Sequence, residues 1–440
     1  MRLPPAITGN TEEVLREVLR FTAPADTTLS RYFRDHPRLG GRERGAIAEG
    51  VYAVLRNKSL FTSFAESAGG ANMRRLTLLG LAQAVGIDSL GGLSEDEGAW
   101  LARVGEIDRN LMPAVMRANM PQWLLDKLVG QYGEDEAMKL AEALNQPAPL
   151  DLRVNTMKGN RDAVVAELAQ APIRAVPTPY APLGLRVQQK PALQNLPLFK
   201  NGTIEVQDEG SQVLAQILGA RRGEMVVDFC AGAGGKTLAI GALMRNTGRL
   251  YAFDVSEKRL AKLKPRLARS GLSNVHPTVI AHERDAKIKR LAGKVDRVLV
   301  DAPCSGLGTL RRNPDVKWRQ SAESITEMNT KQGAILAGAA RLVKPGGRLV
   351  YATCSLMQEE NEAVVTEFLA GHPEFELQPM SKVLAEQRIE LEMGDYLKLM
   401  PHVHQTDGFF AAVLERRPLP KKVAAAAVVE EADEPVLDQE

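Results

Sequence analysis

The sequence predicts an α/β catalytic domain built on a mostly parallel sheet, preceded by an all-α domain and a small α+β connecting subdomain. Three observations carry this. From residue 225 onward, short apolar runs (MVVDF, GRLYAFD, VDRVLVDAP, GGRLVYAT) alternate with helical stretches, the pattern of a doubly wound sheet. Residues 10–120 space their apolar side chains for helix faces and contain no convincing strand. The three cysteines of the 440-residue chain, Cys230, Cys304 and Cys354, each follow one of the apolar runs. They therefore sit at carboxyl ends of strands, where an open α/β sheet forms its ligand crevice.

The elements can be justified in order. VLREVLRF and RERGAIAEGVYAVLRNKSLF are amphipathic helices in an arginine-rich stretch containing Arg31, Arg34, Arg38, Arg42, Arg44 and Arg56. Those arginines suit either the solvated face of a bundle or an RNA-contacting surface. PQWLLDKLVGQYGEDEAMKLAEALNQ reads as two helices. APLDLRVNTMKG and the proline-rich run 177–197 then predict short strands and turns. Asp208 is placed to cap the helix beginning in VQDEGSQVLAQILGA. In the catalytic region, KTLAIGALMRN, SEKRLAKLKPRLARSG and EMNTKQGAILAGAARLV are the helices, and Pro265 is expected to kink the second. The domains expected are 1–120, 121–205 and 206–417, followed by a disordered tail over 418–440.

Composition is that of an ordinary globular protein, 44% hydrophobic and 25% charged. No run approaches the roughly 20 apolar residues of a membrane span. MRLPPAITGNTEEV has no signal-peptide core, and three cysteines without a pairing pattern suit a reducing cytosol. A cytoplasmic monomer without metal or membrane attachment is expected. The tail carries two lysines against six acids, so its net −4 leaves the body at +6 within a total of +2. A basic body is compatible with nucleic-acid binding.

DFCAGAGGKT (228–237) follows a strand and opens a helix, so its backbone N–H groups can approach a ligand. A phosphate-binding P-loop needs glycine where Cys230 stands, and a dinucleotide fingerprint needs glycine where Thr237 stands. S-adenosylmethionine (SAM) needs a glycine loop after the first strand and an acid ending the second. Asp254 ends GRLYAFD, and Ser256 is available to cap the next helix. Asp285, taken to end the third strand, is either an acceptor for the adenine amino group or a turn or N-cap residue. Lys236 either neutralises a carboxylate in the cleft, binds RNA phosphate or lies solvated.

Cys304 and Cys354 suggest chemistry on a pyrimidine. Carbon 5 of cytosine is a poor nucleophile until a thiolate adds to carbon 6. A base must then take the carbon 5 proton so that the thiol can leave. Asp301-Ala302-Pro303-Cys304 and Thr353-Cys354 supply an acid and two thiols from adjacent strand ends. Cysteines as small buried hydrophobes are the competing reading.

DFCAGAGGKT, DAPCSGLGTLRRNPDVKW, LVYATCSLMQEENEAVV and DGFFAAVLER closely resemble the RsmB/NOP family of RNA cytosine-C5 methyltransferases. The resemblance is specific over 206–416, weaker over 121–205 and faint before that. It implies a Rossmann-like class I methyltransferase fold and a NusB-like N-terminal RNA-binding domain. It implies Cys354 as the nucleophile, Cys304 as the partner in proton removal and release, and Asp301 as the group binding the target cytosine. Cys230, Ala231, Gly232, Ala233, Gly234, Gly235, Lys236, Asp254, Asp285 and Asp301 would line the SAM site. The implied substrate is small-subunit (16S) ribosomal RNA. Transfer RNA, another ribosomal site, or a non-catalytic role in ribosome assembly are the alternatives. The family loop reads like AAPGGKT, and no proline occurs in this one.

RRNPDVKWR (311–319) offers Arg311, Arg312, Lys317 and Arg319 to RNA phosphates, with Trp318 either stacking on a base or packing beneath the loop. The target base must leave its stack to reach Cys354.

Overall fold

A computed structural model describes residues 2–66, 72–188 and 191–419. The tail expected over 418–440 falls outside these from residue 420 onward.

The catalytic sheet has eight strands: β5 (Met225–Asp228), β6 (Arg249–Asp254), β7 (Val275–Val279), β8 (Val295–Asp301), β9 (Val343–Thr353), β10 (Phe375–Gln378), β11 (Leu397–Leu399) and β12 (Phe409–Arg416). A smaller sheet, β1 (Leu150–Val154), β2 (Ala175–Pro177), β3 (Gly184–Val187) and β4 (Ile204–Val206), precedes it. The large sheet runs β10-β12-β9-β8-β5-β6-β7, with β11 on β12. β5 through β9 pair in parallel, and β12 joins antiparallel to β9, β10 and β11. The expected mostly parallel sheet is therefore present.

The apolar runs are continuous because both sheet faces are covered. Val226, Leu299 and Val350 enter one core, while their neighbours Val227, Val298, Val300 and Tyr351 enter the other. The chain leaves β5 toward β6 on one side and returns beside it as β8 on the other. That reversal of strand order opens a crevice at the carboxyl ends, and Cys230, Asp254, Cys304 and Cys354 all line it. The helix expected to kink at Pro265 is divided into Glu257–Ala261 and Leu263–Ser270. Pro265 occupies the first turn of the second piece, where a missing N–H costs no helical hydrogen bond.

The N-terminal region is a helical bundle around Leu15, Ile47, Val54, Phe61 and Leu78. Helices Gly41–Arg56 and Asn72–Val85 cross closely at Gly50 and Gly80, and a Cβ on Gly80 would lie 2.4 Å from the Gly50 carbonyl oxygen. Of the arginines noted in this bundle, Arg31 pairs with Glu17, Arg44 donates to the Leu39 carbonyl, and Arg56 is buried.

The two helices after residue 121, Gln122–Tyr132 and Glu134–Leu144, do not share the core of the small sheet. Leu124, Leu128, Leu140 and Leu144 pack instead with Leu307, Leu310 and Leu356 of the catalytic domain. The small sheet closes its own core with the helix Arg161–Gln170, through Leu152, Val164, Leu168 and Ile204.

Candidate active site

A cavity of about 890 Å³ opens over the carboxyl ends of β5, β6, β8 and β9. The loop after β5 depends on glycine at two positions. Gly232 has φ +56° and Gly234 φ +82°, and a Cβ on Gly234 would stand 2.2 Å from Leu263 Cδ1. Asp254, buried at the end of β6, accepts from the Gly232 N–H (2.8 Å) and the Ser256 N–H (2.7 Å), and pairs with Arg259. It thus shapes the loop while facing the cavity. Ser256 caps the following helix by accepting from the Arg259 N–H, as expected.

Asp228 ends β5 and is fully buried. The Thr237 hydroxyl donates to its Oδ2 at 2.6 Å, and its Oδ1 faces no hydrogen-bond partner. Burial pushes this carboxyl up to about 7. Because the folded value lies above the unfolded one, the neutral acid's contribution to stability is complete below pH 3.8 and lost as pH rises through about 7. Asp228→Asn should therefore gain on the parent protein as pH rises from 5 to 8. Urea unfolding at both pH values checks this, and an unchanged difference between the two proteins refutes it.

The cavity fits SAM. Gly232, Ala233 and Gly235 border it with backbone, Asp254 offers a buried carboxylate, and Asp228 keeps an unpaired buried oxygen. Exposed Val255 and buried Ile280 add apolar wall. Cys230 also lines the cavity, its thiol pushed up by burial and thus poorly disposed to ionise. Asp285 does not end the third strand, and of its two readings the N-cap is the one seen. β7 ends at Val279, and Asp285 caps the short helix Ala286–Lys289, accepting from the Ala281 and Lys287 N–H groups (2.7 and 2.8 Å). It is not among the residues lining the cavity, and the wall there is formed by Ile280, Ala281, His282 and Glu283.

The two remaining cysteines meet. Cys304 Sγ lies 3.3 Å from Cys354 Sγ. The Cys304 thiol is pushed well up, first by its hydrogen bond with Cys354, then by burial, with the Glu360 carboxylate adding to both. Lys236 Nζ donates to Asp301 Oδ2 at 2.8 Å. Burial pulls the Lys236 ammonium down, but the Asp301 carboxylate outweighs it and the net shift is upward. Lys236 is therefore not solvated, its side chain being 11% exposed, and it neutralises a carboxylate in the cleft.

One group, Glu360, escaped the sequence reading, as did the ion pair that Asp208 makes beyond its cap. Glu360, fully buried, accepts from the Ser305 N–H (2.8 Å), the Ser305 and Ser355 hydroxyls and Gln332 Nε2 (3.0 Å). It ties together the residues following Cys304 and Cys354. In sequence it lies within EENE, which looks like a solvated helix start. Asp208 caps its helix as expected (Gly210 N–H, 2.8 Å), but also pairs with Arg312 at 2.9 Å, and Arg312 pairs in turn with Asp407 at 2.6 Å on the cavity wall.

The stretch 311–319 is a domain junction and not an open track for RNA phosphates. Arg311 is buried and donates to the Thr406 carbonyl. Lys317, 1% exposed, donates to the Arg56 carbonyl and Asn145 Oδ1. The Trp318 indole N–H donates to the Leu55 carbonyl, so these two residues cap the C-terminal end of helix Gly41–Arg56. Asp315 accepts from the Ala25 N–H and pairs with Arg319. Trp318 packs, and Arg311 and Lys317 are withdrawn from RNA because the chain turns into the bundle there.

A doubly wound sheet with a glycine loop, an acid ending the second strand and a fitting cavity at the switch point defines a Rossmann-like, SAM-dependent methyltransferase. The family model described as 16S rRNA methyltransferase RsmB/F matches residues 215–415, and a ferredoxin-like domain of RsmF/B-like methyltransferases matches 120–194. A probable ribosomal RNA small subunit methyltransferase B from Synechocystis is 33% identical, over 92% of this chain and 98% of the relative. The crystal structure of PH0851 superposes with a TM-score of 0.75 at 28% identity, covering 94% of this chain and 100% of that one. A methyltransferase homolog from Pyrococcus horikoshii superposes with a TM-score of 0.60 at 30% identity, covering 70% and 100%. The chain belongs to the RsmB/NOP family of methyltransferases, and its cofactor is SAM. No helix among the described residues is long and apolar enough to cross a membrane.

Proposed function

We propose that this protein methylates carbon 5 of a cytosine in small-subunit ribosomal RNA through a covalent bond between Cys354 and carbon 6, acting in the cytoplasm as a monomer. The observation that carries this reading is the 3.3 Å pair Cys304–Cys354 at adjacent strand ends, beside the cofactor loop. The bound cofactor supplies an electrophilic methyl group. Asp254, the backbone of 230–235 and Asp228 are the groups to hold it. Cys354 adds as thiolate to carbon 6, with the Lys236 ammonium as a nearby counter-charge. Asp301, held by Lys236, faces the cavity and orients the base. After methylation the carbon 5 proton must leave as the carbon 6–sulfur bond breaks. Cys304 stands within hydrogen-bond reach of Cys354 and serves as the relay: as the carbon 6–sulfur bond breaks, its thiol gives its proton to the departing Cys354 sulfur and takes the carbon 5 proton in exchange, so the carbon 5–carbon 6 double bond reforms and both cysteines end as thiols.

Bisulfite sequencing of ribosomal and transfer RNA from a deletion strain is the direct test. Loss of one methylated cytosine in small-subunit RNA is expected. Loss from transfer RNA would reassign the substrate, and unchanged methylation everywhere would overturn the reading.

A further inference from the structure

The cofactor loop has three glycines between Cys230 and Lys236, so something outside it must fix its conformation. One tie is the Asp254 carboxylate on the Gly232 N–H. The other comes from helix Leu263–Ser270. Arg266 Nη1 donates to the Ala233 carbonyl at 2.7 Å, and Leu263 of the same helix packs where a Gly234 side chain would be.

That helix is gripped by the small subdomain. Glu205 of β4, only 4% exposed in its side chain, receives Arg266 on Oε2 (Nε 3.2 Å, Nη2 3.0 Å) and Arg269 on Oε1 (Nε 3.0 Å, Nη2 2.7 Å). Asn155 Nδ2 bonds the Ser270 carbonyl at 2.9 Å, and Lys158 Nζ bonds the Arg269 carbonyl at 2.6 Å. A Cβ on Gly202 would sit 2.3 Å from the Arg269 carbonyl oxygen, so subdomain and helix touch backbone to backbone.

We infer that Arg266 is a positioning residue for SAM, holding the Ala233 carbonyl, and that Glu205 transmits the seating of the small subdomain to the cofactor loop. The inference rests on the SAM site assigned above. Arg266 is suited to this because a guanidinium can satisfy a carboxylate and a carbonyl at once, in a fixed fork that lysine lacks. The link is reciprocal: whatever steadies the subdomain against Leu263–Ser270 tightens SAM, and bound SAM steadies the subdomain.

The test is calorimetric binding of SAM to the full chain, with methyl-transfer kinetics and thermal unfolding on the same samples. Arg266→Met is expected to weaken SAM by about tenfold, with kcat at saturating SAM and KM for RNA within about twofold of the parent protein. Arg266→Lys should recover part of the loss. Glu205→Gln should weaken SAM in the same direction, and combining it with Arg266→Met should add little, since both act through one contact. Unchanged SAM affinity in folded Arg266→Met or Arg266→Lys overturns the inference, as does a loss confined to thermal stability. Failure of the parent protein to bind SAM would refute the cofactor site itself, which separates the two failures.

Discussion

Cys354→Ala is expected to lose methyl transfer by at least about a thousandfold and to form no covalent RNA adduct, because the group that adds to the base is gone. Cys304→Ala is expected to lose turnover as well, but to accumulate a covalent protein–RNA complex, since addition proceeds and release stalls. The surroundings of the two sulfurs support the proposed division of roles. Cys304 is half-buried, and its hydrogen bond with Cys354, then burial, then the Glu360 charge raise its thiol. Cys354 has the Lys236 ammonium as neighbour. Denaturing gels of each variant with target RNA and SAM separate the two roles. A trapped complex in Cys354→Ala and none in Cys304→Ala would reverse the assignment.

The parts of this site that were legible in sequence are those governed by local rules. Glycines at φ +56° and +82° announce a tight strand-to-helix loop, and the acid ending the second strand follows at a fixed place in the fold. Alternation between strand and helix fixes the carboxyl edge, so three cysteines at strand ends could be read as neighbours. Where the reading failed, the deciding contact was between distant segments. Arg311 and Lys317 look like phosphate ligands because arginine and lysine are usually exposed. Their burial depends on Arg56, Asn145 and Thr406, none of which is near them in sequence. Asp285 was displaced by six residues because β7 stops at Val279 and a turn intervenes. Glu360 and Glu205 each have acidic, solvent-like sequence surroundings or strand neighbours, and only tertiary structure brings their donors to them.

Glu360 carries the largest expected effect outside the cysteines. Its Oε1 accepts from the Ser305 N–H and Gln332 Nε2, and its Oε2 from the Ser305 and Ser355 hydroxyls. Gln332 also donates to the Pro303 carbonyl, and the Tyr351 hydroxyl donates to the Glu360 carbonyl at 2.6 Å. One side chain therefore fixes both loops that carry the thiols. Glu360→Ala strands these donors in a buried space and should cost about 3–5 kcal/mol of stability, with activity falling more than about a hundredfold as the sulfurs lose their register. Glu360→Gln should be far milder, about 1–2 kcal/mol. Its amide oxygen can keep the Ser305 N–H and Gln332, while its NH₂ can donate to the two hydroxyls, which rotate to accept. Urea unfolding and methyl-transfer rates on both variants check the argument. Equal losses in the two would mean that charge, and not the pattern of donors, is what the site requires; a fully stable Glu360→Ala would mean that the two cysteine loops are held by something else.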